Sequence, residues 1–284
     1  MAQLIQLTQR IRAVDTIKKI THATRLVAMS AHTRLAHKEP LLTHYRTQVQ
    51  RLLNHMLGGN QSAQESLFSI APDSPRTLIF LVGSQKGLCG TFNVGLFKSF
   101  EYHFTQLQKN GDVIVIGKKA QEYVNRRTIT PKEIFNNLTT ATLPTITELV
   151  TQLIVKEAHH YKKIVFFSNQ PQTFFSQKIV QTTILPLELL AKNTKNQELL
   201  SEEYIWEEPQ EAILPTLAKL YLQVTIQSLL FSSLVAEQAA RFQSMDSATR
   251  NAEDLLETMR RDYNKLRQAK ITKELLELAS SMGR

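Results

Sequence analysis

Apolar residues recur at helical spacing at both ends of the chain, and a different pattern fills the middle. Every seventh residue from Leu7 reads Leu7, Val14, Thr21, Ala28, Leu35, Leu42, Val49 and Met56. That is a helical seam running from about Leu4 to Leu57, just before Gly58-Gly59. Pro40 falls inside it. A proline removes one backbone donor and crowds the preceding turn, so a kink is expected near Lys38–Pro40. At the other end, Thr216 to Met282 contains no glycine or proline. Every seventh residue from Leu217 gives Leu217, Val224, Phe231, Gln238, Met245, Ala252, Met259 and Leu266. A companion series runs Leu220, Gln227, Leu234, Arg241, Ala248, Leu255, Asp262, Ala269 and Leu276. Pro215 before this stretch and Gly283 after it suit a helix start and stop. At 1.5 Å per residue the helix would be about 100 Å long, so it should project from any compact domain. The middle of each seam is small or polar: Thr21, Thr24, Ala28 and Ala31 in one, Ala239, Ala240, Ala248 and Ala252 in the other. Small residues let helices approach closely. The simplest arrangement pairs the two ends as an antiparallel coiled coil, because isolated helices depend on packing for stability.

Between the seams, short apolar runs alternate with helical stretches. Strands are expected at Thr77–Val82, Asp112–Ile116 and Lys163–Phe167, with Tyr204–Trp206 as a further candidate. Helices are expected at Asn93–Gln108, Lys118–Asn125, Thr145–Tyr161 and Gln177–Ala191. This alternation argues for an α/β domain with a mostly parallel sheet. The polar stretches Gly59–Pro75 and Lys192–Glu202 read as linkers. The expected division is residues 1–58 for the first coiled-coil helix, 76–208 for the α/β domain and 210–284 for the second helix.

Composition narrows the function. The formal charge is +9, which favours an acidic partner: nucleic acid, an anionic membrane surface or an acidic protein cavity. The first helix is especially basic. Arg10, Arg12, Lys18, Lys19, Arg25, Arg34, Lys38, Arg46 and Arg51 face only Asp15 and Glu39. These charges form no dense block, and Tyr45 is the one aromatic there, so nucleic-acid binding is not expected. A basic two-helix rod has another use, seated in or against an acidic protein partner. The single cysteine, Cys89, excludes an intramolecular disulfide and disfavours a thiolate metal cage. Apolar runs such as Leu78–Val82 fall short of the roughly 20 residues a bilayer span needs. The start of the chain, M-A-Q-L-I-Q-L-T-Q-R-I-R, does not read as a signal peptide.

The stretch V-G-S-Q-K-G-L-C-G-T-F-N, Val82 to Asn93, invites a test as a phosphate cradle. A Walker loop needs G-x-x-x-x-G-K-[ST], and here Lys86 precedes Gly87 with no Ser or Thr after a lysine. A dinucleotide loop needs G-x-G-x-x-G, whereas Gly87, Gly90 and Gly95 are spaced differently. Asp112 is the acidic residue expected further on, but it opens a strand. The spacing reads instead as a tight turn with close helix–sheet packing. Cys89 lacks a motif partner and reads as a small packed side chain rather than a nucleophile. Adjacent His159 and His160 point about 100° apart on a helix and cannot share a metal. His22, His32, His37, His44 and His55 make no convincing ligand set. No paired carboxylates stand out, and no cofactor or metal is expected.

Several strings resemble the γ subunit of F-type ATP synthases. They are A-E-Q-A-A-R-F-Q-S-M-D-S-A-T-R-N-A-E-D-L-L (Ala236–Leu256), Y-N-K-L-R-Q-A-K-I-T-K-E-L-L-E-L (Tyr263–Leu278), I-K-K-I-T-H-A-T-R-L-V-A-M-S-A (Ile17–Ala31) and K-G-L-C-G (Lys86–Gly90). K-I-V-F-F-S-N-Q (Lys163–Gln170) and I-L-P-L (Ile184–Leu187) sit where the family has similar strings. The resemblance implies an antiparallel coiled coil beside a Rossmann-like domain. It implies a rotor shaft within a ring of α and β subunits, resting on the membrane c-subunit ring with the ε subunit alongside. The chain would be non-catalytic and peripheral to the cytoplasmic face of the membrane. It also implies contacts with β through Arg267 and Gln268 and through the region of Lys18, Lys19, His22 and Arg25. A foot near Trp206 and Glu208 would meet the c ring, and Lys86, Gly87, Cys89 and Gly90 would form a structural turn. Four departures from the family stand out, one of them Pro40, which falls where an uninterrupted helix is expected. His22-Ala23-Thr24 replaces the usual K-A-M, while Gln85 and Thr91 replace an aspartate and a glycine around the K-G-L-C-G core. Two other function classes remain open on the residues: a coiled-coil adaptor, and a nucleotide-binding α/β enzyme.

Overall fold

A computed structural model describes residues 2–57, 74–107, 110–186, 207 and 209–282. The helices are α1 (Ala2–Ala36), α2 (Glu39–Leu57), α3 (Phe92–Gln106), α4 (Lys118–Arg126), α5 (Leu143–Glu157) and α6 (Gln210–Met282). The strands are β1 (Thr77–Val82), β2 (Gly111–Ile116), β3 (Glu133–Phe135), β4 (Lys163–Thr173) and β5 (Ser176–Leu185). The chain divides into two compact units. One joins Met1–Ser30 with Arg241–Arg284, and the other is Ala31–Ala240.

The larger unit is built on a five-stranded sheet in the order β3-β2-β1-β4-β5. β1 pairs in parallel with β2 and β4, and β2 in parallel with β3, while β5 runs antiparallel to β4. The side-chain period of two sends alternate residues to opposite faces, and both faces are covered. Leu78, Phe80, Val82, Ile114, Ile116, Ile164 and Phe166 join a core with Val150 and Ile154 of α5, Val49 and Leu53 of α2, and Leu222, Ile226 and Leu230 of α6. The Phe80 and Phe166 rings stack at 4.3 Å within it. Ile79, Leu81, Val113, Val115, Val165 and Phe167 form a second core with Leu96 and Phe100 of α3 and Ala120 and Val124 of α4. This explains why β1 reads as an unbroken apolar run: it is central, and neither of its faces meets water.

The smaller unit is a pair of helical segments. Ala28 and Thr21 of α1 are buried, as are Met245, Thr249, Ala252 and Leu256 of α6. Thr21 Oγ1 and Thr249 Oγ1 are hydrogen-bonded at 2.9 Å. Lys18 pairs with Glu253 at 3.0 Å and Arg25 with Asp246 at 2.6 Å. Rising numbers on one segment meet falling numbers on the other, so the two run antiparallel.

Four expectations change in detail. Gln177–Ala191 is not a helix: Ser176–Leu185 is strand β5, and residues 187–191 lie outside the described residues. The run I-V-Q-T-T-I is dense in β-branched side chains, whose stiff χ1 suits a pleated surface better than a helix. β3 was not foreseen, being only three residues long with an exposed start. Pro215 lies inside α6, which starts at Gln210. The Pro209 carbonyl accepts from the Ala212 and Ile213 N–H groups, so the first turn is closed before Pro215 is reached. The companion seam on α6 also shifts by one. Thr249 and Leu256 are buried and Tyr263 half-buried, whereas Leu255 is 48% exposed and Asp262 faces solvent. The straight series was counted three residues on, and the buried stripe advances by four from Met245, Ala252 and Met259.

The kink near Pro40 is a break. α1 ends at Ala36 and α2 starts at Glu39, with Pro40 in the first turn, where its missing donor costs no intrahelical bond. The Lys38 carbonyl accepts the Leu42 N–H across that turn. The expected strand at Tyr204–Trp206 lies outside the described residues. Ala212–Leu278 of α6 is long and apolar enough to cross a bilayer by length and composition, which the short apolar runs did not suggest. Half of its most apolar window is buried within the protein, so that surface already has protein neighbours.

Candidate functional site

The basic residues proposed for a partner divide into two groups on α1. Lys18 and Arg25 lie beside the seam, with side chains 36% and 26% exposed, and each is engaged by a carboxylate of α6. The Asp246 carboxyl takes hydrogen bonds from Arg25 and Arg250. The Arg25 bond above all holds it below the ordinary carboxylate value of 3.8. Lys19 and His22 face outward. Lys19 bonds Asp15 one turn away at 2.8 Å, and that hydrogen bond lowers the Asp15 carboxyl. Arg267 and Gln268 on α6 are both exposed, in a stretch where Leu266 and Ile271 are also open to solvent. Trp206 and Glu208 lie outside the described residues.

Sequence reasoning missed an apolar component of the same surface. Ile17, Ile20, Leu26 and Val27 of α1 are each more than half exposed, as are Leu275, Leu276 and Leu278 of α6. Subtracting the seam from the apolar residues would have found them. Ile20 and Val27 sit one heptad apart and off the Thr21–Ala28 line. An outer surface that mixes lysine, histidine and isoleucine suits a protein partner with acidic and apolar groups.

The β1–α3 loop, residues 83–91, closes on itself. A Cβ at Gly83 would stand 2.8 Å from Ala120 Cβ and 2.9 Å from its backbone nitrogen, so α4 can lie this close only over a glycine. Gly90 has φ +55° and ends the turn in the left-handed region. Lys86 is exposed, Gly87 half-buried and Cys89 buried. Asn93 organises the turn from α3. Its Oδ1 accepts the Ser84 N–H at 3.0 Å, and its Nδ2 donates to Ser84 Oγ at 2.7 Å and to Cys89 Sγ at 3.3 Å. The Ser84 hydroxyl donates to the Lys86 carbonyl at 2.8 Å.

These bonds occupy groups that an anion would use. A cradle needs backbone N–H groups free to converge on an anion. Here the Ser84 N–H is taken by Asn93, the Gln85 N–H by the Glu237 carboxylate, and the Lys119 N–H by the Ser84 carbonyl. An anion would also meet the negative charge of Glu237. The charged cluster around Tyr161 is likewise closed by internal pairing. The Tyr161 hydroxyl donates to Asp112 and accepts from Lys132, which pairs with Glu157, while Arg76 pairs with Asp112. Among the described residues, no group of three or more His, Cys, Asp or Glu side chains is placed to hold a metal ion.

Comparison with known proteins places this architecture. A family profile described as ATP synthase matches residues 3–283. The chain is 31% identical over 297 residues to the ATP synthase gamma chain of Helicobacter pylori, covering 98% of this chain and 97% of that one. It is 28% identical over 292 residues to the gamma chain of Amoebophilus asiaticus, covering 99% and 98%. Among solved structures, the fold is similar to a chain of the Euglena gracilis mitochondrial ATP synthase rotor. There the TM-score is 0.68 at 15% identity, covering 95% of this chain and 99% of that one. It is also similar to a chain of the Tetrahymena thermophila mitochondrial ATP synthase central stalk and c-ring. There the TM-score is 0.59 at 18% identity, covering 81% and 99%. The chain belongs to the ATP synthase gamma chain family and is a component of that complex.

Proposed function

We propose that the chain is the central rotor shaft of an F-type ATP synthase. It couples ion-driven rotation of the membrane c ring to ATP synthesis or hydrolysis at the β subunits. The observation that carries this reading is the antiparallel seam of α1 and α6, with its basic and apolar outer residues, in a chain that matches the family over residues 3–283. A shaft of this kind works by differential contact. It touches each state of a bistable partner to a different extent and so biases which state is populated. It does no bond chemistry itself. The occupied Ser84 and Gln85 amides agree with this assignment, with nucleotide bound by the α and β partners.

Within this reading, Lys19, His22, Arg267 and Gln268 reach β directly, since each is exposed. Lys18 and Arg25 act by holding the seam, and their remaining charge adds to the attraction for acidic segments of β. Trp206 and Glu208 form the foot on the c ring, with the ε subunit beside the α/β domain. Lys86, Gly87, Cys89 and Gly90 are a structural turn. The chain sits peripherally at the cytoplasmic face of the membrane.

The test is charge reversal at Arg267 in the assembled complex. Arg267→Glu lowers coupled ATP turnover and leaves the fold and stability of the isolated chain unchanged, as read by circular dichroism and thermal melting. Unchanged turnover rejects a β contact there. The chain is also expected to co-purify from membranes with α, β and ε subunits and ATPase activity. A lone soluble monomer would favour a coiled-coil adaptor instead.

A further inference from the structure

The β1–α3 loop meets α6 through two kinds of contact. Cys89 and Phe92 pack against Ala236 and Ala240, and all four are buried. Apolar contact of this kind resists separation, but it is non-directional and opposes sliding only weakly. Hydrogen bonds are directional and therefore hold a register. The Gln85 N–H donates to Glu237 Oε2 of α6 at 3.2 Å. The Gln85 side chain reaches the other way. Its Oε1 accepts from the Asn137 N–H at 3.1 Å and the Lys118 N–H at 3.4 Å, and its Nε2 donates to Asn137 Oδ1 at 3.1 Å. One residue thus joins α6, the β1–α3 loop, the start of α4 and the connection between β3 and α5.

The site is specific to an amide. It needs an acceptor and a donor at the end of the same side chain. An aspartate at this position would be shorter and would offer no donor. Asn137 is matched to its role: it holds φ +63°, which asparagine tolerates better than most residues, and its carbonyl accepts from the Thr142 hydroxyl.

We infer that Gln85 is a positioning residue that keys the sheet to α6, so that the two turn together when torque passes through the chain. This rests on the rotor reading. Torque entering at the α/β fold and leaving along α6 must cross their interface, and the Gln85 bridge is a directional contact there.

The test uses membrane vesicles carrying the complete ATP synthase complex. Gln85→Met keeps a similar volume and the main-chain bond to Glu237, but removes the side-chain bonds to Asn137 and Lys118 that fix where that N–H points. The expected result is ATP hydrolysis near that of the unaltered complex and ion pumping per ATP lowered roughly threefold, the scale of one net hydrogen bond. Amide exchange at Asn137 and Lys118 should accelerate. Asn137→Gly tolerates the positive φ and removes only the side-chain partner. It should lower pumping per ATP in the same direction by less, and it carries the test if the methionine variant fails to assemble. Faster exchange with unchanged pumping per ATP would make the bridge merely structural and overturn the proposal. If vesicles with the unaltered chain do not pump at all, the rotor reading itself fails.

Discussion

One helix, α6, meets two environments. From Leu217 to Arg241 nearly every position is buried or half-buried, and Leu222, Ile226 and Leu230 have no exposed surface. From Met245 to Tyr263 only one stripe is covered, and two of its members are Thr249 and Ala252. The first stretch is a core helix, held by large apolar side chains whose burial contributes about 1.5–3 kcal/mol each. The second is a seam of small and polar groups, which buries little apolar area per turn and relies on cross-bonds. Core burial and open surface are thus segregated along one element. Up to Arg241 α6 is covered nearly all round, and beyond Met245 it keeps most of its circumference open.

The comparison can be broken most directly in the core stretch. Leu230→Ala should cost about 2–5 kcal/mol, because the side chain is fully buried and the sheet cannot collapse into the space. Urea unfolding of the isolated chain measures this, and a loss below 1 kcal/mol, on the order of a surface substitution, would mean the stretch is not core.

The seam should respond to acid instead. The Arg25 hydrogen bond depresses the Asp246 carboxyl, so this pair contributes fully above the ordinary carboxylate value and is lost as pH falls through the depressed one. Amide protection over residues 18–25 should therefore fall below about pH 4, and by less in high salt, where the pair is already screened. Asp246→Asn should flatten that dependence. An equally steep pH response in the variant would assign it to another group.

A smaller effect is expected at the threonine pair. Thr249→Val keeps shape and removes one hydroxyl, which should raise local opening by about 1 kcal/mol. Amide exchange near Thr21 reads it. The smallest effect closes the comparison on the same helix and the same substitution as the first. Leu275→Ala should change stability by less than about 0.5 kcal/mol, because its side chain is already 61% exposed. A loss like that at Leu230 would mean the outer stretch is covered after all.

Much of this was legible in residue patterns. The seven-residue series from Leu7 names Thr21, Ala28 and Leu35 on α1 and Val49 on α2, and all four are buried. The core of β1 follows from its unbroken apolar run, and the break at His37–Lys38 from Pro40. The β1–α3 loop matches neither phosphate template on spacing, and two of its amides, those of Ser84 and Gln85, are engaged by Asn93 and Glu237. The misses share a cause. The stretch expected as a helix, Gln177–Ala191, has apolar residues that fit either period, and its described part up to Leu185 is strand β5. The choice was made by β4, which offers an open edge to pair with. The α6 stripe was misplaced by one residue, because small residues tolerate either register until a facing helix selects it.

Periodicity, composition and motif were enough to establish two long terminal helices, an α/β middle and the family they belong to. Each depends on local spacing and residue type, which a chain carries wherever it folds. Folding had to settle what spacing leaves degenerate: the edge strand, the register of the α6 stripe, and which basic residues turn outward. It settled the loop as well. Nothing near Gln85 in the chain points to Asn137 or Glu237, and only packing the sheet on α6 brings their complementary donors and acceptors within reach.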